Sequence, residues 1–408
     1  MFHDLRALSQ RFLRLKNVQY RRYFIQSTPL KTRLSLILGQ RGVGKTTTLI
    51  QHLLDQVQGV YLDPRIMYVQ ADHFLMGNTT LYDIAEQFQN LGGQWLAIDE
   101  IHKYPDWSKE LKSIYDTFPE LSLVVSGSSL LEIHKGTHDL ARRAVSYHME
   151  GMSFREYLEL TGGFKLDALT LSELTTQHVS VAHTIKDTLQ KHNRKLLVEF
   201  KQYLKTGYYP YYFEINNEQA YWMTVEQNFH ATLDSDLASV YPSMTHVSIA
   251  KIKKLLIFIS SSVPFIPNWE SLKNELDMGD TRTVKTYFKY LEDAGLIRSV
   301  QTVSTKPSLN KSGKIYLNNP NQMYAMTLNE ANIGTVRETF FLSMLSPSHN
   351  VRLPDTGDFR VDKYLFEVGG RRKNFEQIKG QTNSFLACDD LELGIGNRIP
   401  LWMFGFLY

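Results

Sequence analysis

Gly39-Gln40-Arg41-Gly42-Val43-Gly44-Lys45-Thr46 follows an apolar run, Leu34 to Leu38, and precedes a helix-like stretch, Thr47 to Val57. The spacing G-x-x-x-x-G-K-[ST] between a strand and a helix is what a phosphate-binding loop requires. Glycines let the backbone curl so that successive N–H groups point inward at phosphate oxygens, and the helix N-terminus adds positive potential. Lys45 is then placed to reach the β and γ phosphates of a nucleoside triphosphate. The Thr46 hydroxyl is placed to hold Mg²⁺. Residues Gly39 through Thr47 are the expected nucleotide-binding segment.

Two acids supply the rest of that chemistry. A second apolar strand is expected at Ile66-Met67-Tyr68-Val69, and a third, Trp95 to Ile98, ends in Asp99-Glu100. Asp99 would position Mg²⁺, with Thr46 as the other metal residue. Glu100 would orient and polarise the attacking water. A strand between phosphate loop and acids, with Glu directly after Asp, marks the additional-strand, catalytic-glutamate type of P-loop NTPase. A fourth strand, Leu121 to Val125, runs into Ser126-Gly127-Ser128-Ser129. A polar residue there can sense the γ-phosphate, Ser128 first and Ser126 second. Arg143, in Arg142-Arg143, can stabilise charge on the transferring phosphoryl group, in cis or across a subunit interface. His134 and His138 sit at i, i+4 without further metal ligands and read as ordinary loop or helix residues. The expected catalytic set is Lys45, Glu100, Ser128 and Arg143.

The order of these segments carries a resemblance. Phosphate loop, Ile98-Asp99-Glu100-Ile101-His102-Lys103-Tyr104-Pro105-Asp106-Trp107, Ser126-Gly127-Ser128-Ser129, Arg142-Arg143 and Met152-Ser153-Phe154-Arg155-Glu156-Tyr157-Leu158 follow one another. The chain resembles a prokaryotic AAA-type predicted-ATPase family over nearly its whole length. That family pairs its core with a winged helix and a C-terminal domain of unknown function, related in some members to restriction-endonuclease-like folds. The resemblance implies ATP with Mg²⁺ as ligands. It matches Arg143 to the family's arginine, whereas Arg142 stands where a small residue is more usual. ATP over GTP rests on the resemblance, because no guanine-reading N-K-x-D follows the loop.

Beyond the core, residues 156–240 read as helical, broken at Gly207-Tyr208-Tyr209-Pro210, where the tyrosines are expected to pack. Residues 247–303 read as a winged helix-turn-helix: a helix from Ile249 to Ile259, a second from Asn268 to Leu276, and a third from Arg282 to Ala294. Asp280 or Thr281 caps the third, Gly295 ends it, and a wing strand follows at Leu296–Val300. Arg282, Lys285 and Lys289 share one face of that third helix and could meet duplex DNA. Near the C-terminus, Asp358 and Glu367 resemble the acidic pair of restriction-endonuclease-like folds. The lysine such sites need two positions after the second acid is replaced by Gly369, with Lys373 or Arg371 nearby, so an inactive nuclease relic is expected.

The expected fold class is therefore α/β: a P-loop NTPase core with a parallel sheet, a helical lid, a winged helix and a C-terminal α/β domain. The expected boundaries are 1–155 for the ATPase core with a basic N-terminal arm, 156–245 for the lid, 246–305 for the winged helix and 306–408 for the C-terminal domain. Hydrophobic content of 43%, charged content of 21% and net charge +3 are those of an ordinary soluble protein without a global nucleic-acid field. Basic residues concentrate near the start (Arg6, Arg11, Arg14, Lys16, Arg21, Arg22, Lys31 and Arg33 against Asp4). One cysteine, Cys388, allows no internal disulfide. No apolar run is long enough for a signal peptide or a bilayer span, so a cytoplasmic location without membrane contact is expected. The expected activity is Mg²⁺-dependent ATP hydrolysis coupled to a partner, duplex DNA or a protein. The alternatives are a nucleotide-switched binding protein with negligible turnover and an ATPase-regulated nuclease.

Overall fold

The structure, a computed structural model, describes residues 1–77, 79–127, 140, 142–237, 241, 244–303, 313–327 and 330–408. They fall into two compact units: Met1–Gly151 with Asp234–Ser243, and Met152–Leu233 with Met244–Tyr408.

In the first unit the described strands are β1 (Leu34–Leu38), β2 (Ile66–Gln70), β3 (Trp95–Asp99), β4 (Ser122–Gly127) and β5 (Val145–His148). They form a parallel sheet in the order β2-β3-β4-β1-β5. β1 through β4 are almost wholly buried, and their continuous Val/Ile/Leu runs are the pattern of parallel strands covered on both faces. Helices α1 (Phe2–Leu15), α2 (Tyr23–Ser27), α3 (Lys45–Gln56), α4 (Leu81–Asn90) and α5 (Trp107–Thr117) accompany it. α4 starts at a capping box, with Thr80 and Asp83 satisfying each other's backbone N–H groups. α1 buries Leu5, Ser9 and Leu13, and the Ser9 hydroxyl accepts from the Tyr68 N–H at 2.8 Å. The edge strand β2 is thus covered rather than left open.

The expected basic arm is therefore a docked helix, and several of its charges are already engaged. Arg21 pairs with Asp55 at 2.8 Å. Arg33 donates to the Tyr115 and Pro119 carbonyls. Arg22 is buried and donates to the carbonyls of Val43 and Glu150.

The second unit holds what the sequence divides into lid, winged helix and C-terminal domain. It opens with α6 (Phe154–Gly162), α7 (Leu171–Lys191), α8 (Leu196–Thr206), α9 (Tyr212–Ile215) and α10 (Glu218–Ala231). α11 (His246–Ser262), α12 (Trp269–Glu275) and α13 (Thr281–Asp293) follow, and β6 (Ile297–Val300) pairs antiparallel with β7 (Lys314–Leu317). Asp280 caps α13 through the Thr283 N–H, and Gly295 leaves it at φ 69°. After α14 (Pro320–Met326) and α15 (Ile333–Leu345), which is buried from Thr339 to Leu345, comes a mixed sheet. Its described strands are β8 (Val351–Arg352), β9 (Phe359–Val361), β10 (Tyr364–Gly369), β11 (Ser384–Cys388) and β12 (Arg398–Pro400), in the order β12-β11-β10-β9-β8.

Polar contacts cross the expected boundary at 306. Buried Asn321 accepts from the Tyr208 N–H (2.8 Å) and the Tyr221 hydroxyl (2.6 Å). It donates to the carbonyls of Tyr203 (3.2 Å) and Leu204 (2.9 Å). The Tyr408 carbonyl accepts from Ser153 and Arg155 at the start of α6. Tyr208 and Tyr209 are buried, so the tyrosine-rich break is packing. No helix among the described residues is long and apolar enough to cross a membrane.

Candidate nucleotide site

The phosphate loop emerges from the C-terminal end of β1. Gly42 and Gly44 adopt φ 86° and 102°, a conformation in which a side chain would be strained. A Cβ on Gly39 would collide with the Met149 carbonyl. α3 then begins at Lys45. The loop is fixed from behind: Val43 is fully buried, and its carbonyl accepts from Arg22 at 2.6 Å. Lys45 is buried, with Nζ donating to the carbonyls of Gly39 (2.9 Å) and Gln40 (2.8 Å). Burial pulls its ammonium below the usual lysine range, against the opposing charges of Glu100 and Asp99.

The sheet register brings the acids to this loop. β4 lies between β1 and β3, with Ser126 opposite Ile37 and Val125 opposite Ile98. Asp99, at the end of β3, is buried and collects four donors. Thr46 reaches Oδ2 at 2.6 Å, the Tyr68 hydroxyl reaches the same oxygen at 2.8 Å, and the Glu100 N–H reaches Oδ1 at 3.1 Å. Ser126 Oγ bonds Oδ1. Thr46 and Asp99 together form a hard, oxygen-only donor pair beside a phosphate loop, which is the set Mg²⁺ takes. Glu100 follows in a left-handed conformation (φ 53°), and the 3₁₀ turn Ile101–Lys103 comes next. Lys103 Nζ lies 3.5 Å from its carboxylate.

The structure thus gathers Lys45, Thr46, Asp99 and Glu100. Ser128 lies outside the described residues, as do His134 and His138, and Ser126 is the serine seen touching Asp99. Arg143 is not brought to the loop. Val145 pairs with Ser35 at the start of β1, so Arg143 stands at the N-terminal edge of the sheet. The phosphate loop is at the other edge, four strand residues or about 13 Å further along. Arg143 instead forks onto Asp116 at the end of α5, at 2.8 and 2.9 Å. Strand direction therefore removes the in-cis role expected for it. Tyr68 and Arg22 escaped the sequence reading. A lone tyrosine in an aliphatic strand was the available signal for Tyr68; for Arg22 there was none.

In the second unit, Arg282, Lys285 and Lys289 are exposed on one side of α13. Lys285 sits 5.3 Å over the Trp269 ring, and Lys289 pairs with Asp293 at 2.6 Å. Glu367 is fully buried and bonded to Lys373 Nζ at 2.5 Å. Burial pushes its carboxyl above the usual range. The Asp358 carboxylate accepts from the Val368 N–H at 2.8 Å. No group of three or more His, Cys, Asp or Glu among the described residues is arranged to hold a metal.

Comparison with known proteins places this geometry. Residues 31–158 match the family model of an AAA domain, a stretch that contains both the phosphate loop and Asp99-Glu100. Residues 197–332 match a domain of unknown function. An uncharacterized protein of Methanocaldococcus jannaschii is 28% identical over 257 residues, covering 61% of this chain and 52% of that protein. The chain therefore spans about half the length of this curated relative. Among solved structures, the Walker-type ATPase of Pyrococcus abyssi is similar at 12% identity and TM-score 0.41, covering 79% of this chain and 95% of that one. AMPPCP-bound DnaA from Aquifex aeolicus is similar at 16% identity and TM-score 0.28, covering 66% of this chain and 85% of that one.

Proposed function

We propose that the first unit binds ATP with Mg²⁺ at the phosphate loop and hydrolyses it. The observation that carries this is the 2.6 Å bond between Thr46 and Asp99, with Lys45 and Glu100 beside it. Bound Mg²⁺ would neutralise charge on the β and γ phosphates. Thr46 and Asp99 would hold it, and Tyr68 and Ser126 would fix the Asp99 carboxylate. Lys45 would exchange its two carbonyl partners for phosphate oxygens. Glu100 would take the proton of the attacking water. Arg143, held at the opposite sheet edge, could complete only a neighbouring chain's site.

Hydrolysis would change how the second unit engages a partner. α11, α12, α13 and the β6–β7 pair support a winged helix-turn-helix, and the exposed Arg282, Lys285 and Lys289 support duplex DNA as the partner. Asp358 and Glu367 are better read as a structural remnant, because Lys373 already occupies the Glu367 carboxylate.

Glu100→Gln tests the reading. The amide keeps the shape but cannot act as a base, so ATP affinity should persist while turnover falls by about 10²-fold. Normal hydrolysis by the variant would rule out Glu100 as the base. ATP binding without turnover in the wild type would favour a nucleotide-held switch.

A further inference from the structure

Arg41 is the third residue of the phosphate loop, between Gly39 and Gly44. Its backbone N–H belongs to the Gln40–Arg41 peptide, whose carbonyl accepts from Lys45 Nζ at 2.8 Å. The loop's second cation thus starts from the peptide on which the first one rests. The Arg41 side chain runs to Asp236, 195 positions later in sequence, where Nη2 donates to both carboxylate oxygens at 3.0 and 3.2 Å. Asp236 is 1% exposed and closes a π-helical turn, Thr232–Asp236. Such turns are rare and often lie at functional sites. His102 Nε2 is 3.7 Å from Asp236 Oδ1 and 3.8 Å from Glu100 Oε2. The Arg41 guanidinium therefore stands towards Glu100, the γ-phosphate end of a bound triphosphate.

The Arg41–Asp236 pair is incomplete. In the same unit, Arg143 forks onto Asp116 with Nε and Nη2 each on its own oxygen. At Asp236 a single nitrogen serves both oxygens. Arg41 Nε is buried with no hydrogen-bond partner among the described residues. A guanidinium carries five N–H donors, and a buried N–H without an acceptor is unfavourable. The Arg41 side chain is still 28% exposed, so a ligand can reach it.

We infer that Arg41 is a second phosphate-binding cation of the loop, directed at the γ-phosphate and restrained by Asp236 until nucleotide arrives. Phosphate oxygens match the guanidinium fork and take the donors that Asp236 leaves unused. ADP lacks the terminal group and leaves Arg41 on Asp236. Two anions thus compete for one cation, and Asp236 sets a threshold that the triphosphate must exceed. The inference rests on the loop being a nucleotide site.

The test titrates the full chain by calorimetry with ADP and with a non-hydrolysable ATP analogue, each with Mg²⁺. Arg41→Gln keeps length and an N–H for Asp236 but loses the charge. It should bind the triphosphate about tenfold more weakly, the worth of one charge-assisted contact, and ADP less than about threefold more weakly. Equal losses for the two nucleotides would mean that Arg41 only shapes the loop, and would overturn the inference. Asp236→Asn keeps shape and an acceptor but loosens Arg41, and should tighten the triphosphate by about three- to tenfold. That gain should vanish in Arg41→Gln/Asp236→Asn. An equal gain in the double variant would come from the lost negative charge alone, and no gain in the single would leave Asp236 a structural partner; either result overturns the inference. If Asp236→Asn does not fold, the Arg41→Gln comparison of the two nucleotides still decides. Binding that survives Lys45→Ala removes the nucleotide site itself, whereas Lys45-dependent binding with an unselective Arg41→Gln overturns this inference alone.

Discussion

Lys45→Ala should weaken ATP binding by about 5- to 700-fold. Lys45 Nζ now satisfies itself on the Gly39 and Gln40 carbonyls. Binding nucleotide exchanges those two neutral acceptors for two phosphate oxygens. Charge-assisted bonds contribute about 1.5–3 kcal/mol each, and the carbonyl bonds given up about 1 kcal/mol each. The net is about 1–4 kcal/mol, which gives the stated range at about 1.4 kcal/mol per decade. Burial already disfavours the Lys45 charge, so the cation has much to gain from an anionic ligand. The assay is a fluorescence-anisotropy titration with a labelled ATP analogue and Mg²⁺, on wild type and variant of equal thermal stability. A variant that folds and binds within threefold of wild type would refute the placement of Lys45 against the phosphates.

Three further outcomes are expected. If α13 meets duplex DNA, Arg282→Ala with Lys285→Ala should flatten the log–log salt dependence of binding by about two. Identical slopes in an anisotropy titration at several salt concentrations would argue instead for a protein-docking surface. Tyr68→Phe removes one donor from buried Asp99 and should cost about 1.5–3 kcal/mol, read as a lower melting temperature; an unchanged melting curve would mean that Asp99 does not need it. Asn321→Leu removes four buried hydrogen bonds and should destabilise the second unit by roughly 4 kcal/mol at about 1 kcal/mol each. Urea unfolding followed by circular dichroism checks it, and an independent fold for residues 306–408 would predict a much smaller loss.

The strand runs, the phosphate loop and the acids at the end of β3 were legible because each is local: apolar runs four or five residues long, and glycines where the backbone turns left-handed. The α13 cap at Asp280 and its end at Gly295 were legible for the same reason. For Arg143 the choice between a role in cis and one across a subunit interface stayed open because spacing along the chain does not say which end of a strand a residue precedes. Only the pairing of Val145 with Ser35 shows that. The basic segment at the start was ambiguous because charge counts ignore partners: Arg21 finds Asp55, and Arg22 finds two carbonyls, one of them 128 positions away. The contacts across the expected boundary at 306 were invisible because they run through an asparagine, a residue type that ordinarily marks turns. Asp236 had no local signal at all, since its partners lie more than a hundred positions earlier.

The excursion of the chain out of the first unit at Gly151 and back at Asp234 has a consequence for biosynthesis. A ribosome releases the phosphate loop, Asp99 and Glu100 long before it releases the carboxylate that neutralises Arg41. Domains generally fold in the order they emerge. Here the nascent first unit must wait with Arg41 lacking its Asp236 carboxylate until the helices Phe154–Gly162 through Glu218–Ala231 have been made. Synthesis order therefore delays the Arg41–Asp236 ion pair until much of the second unit's chain exists, so that truncated products would carry the phosphate-loop motif without it.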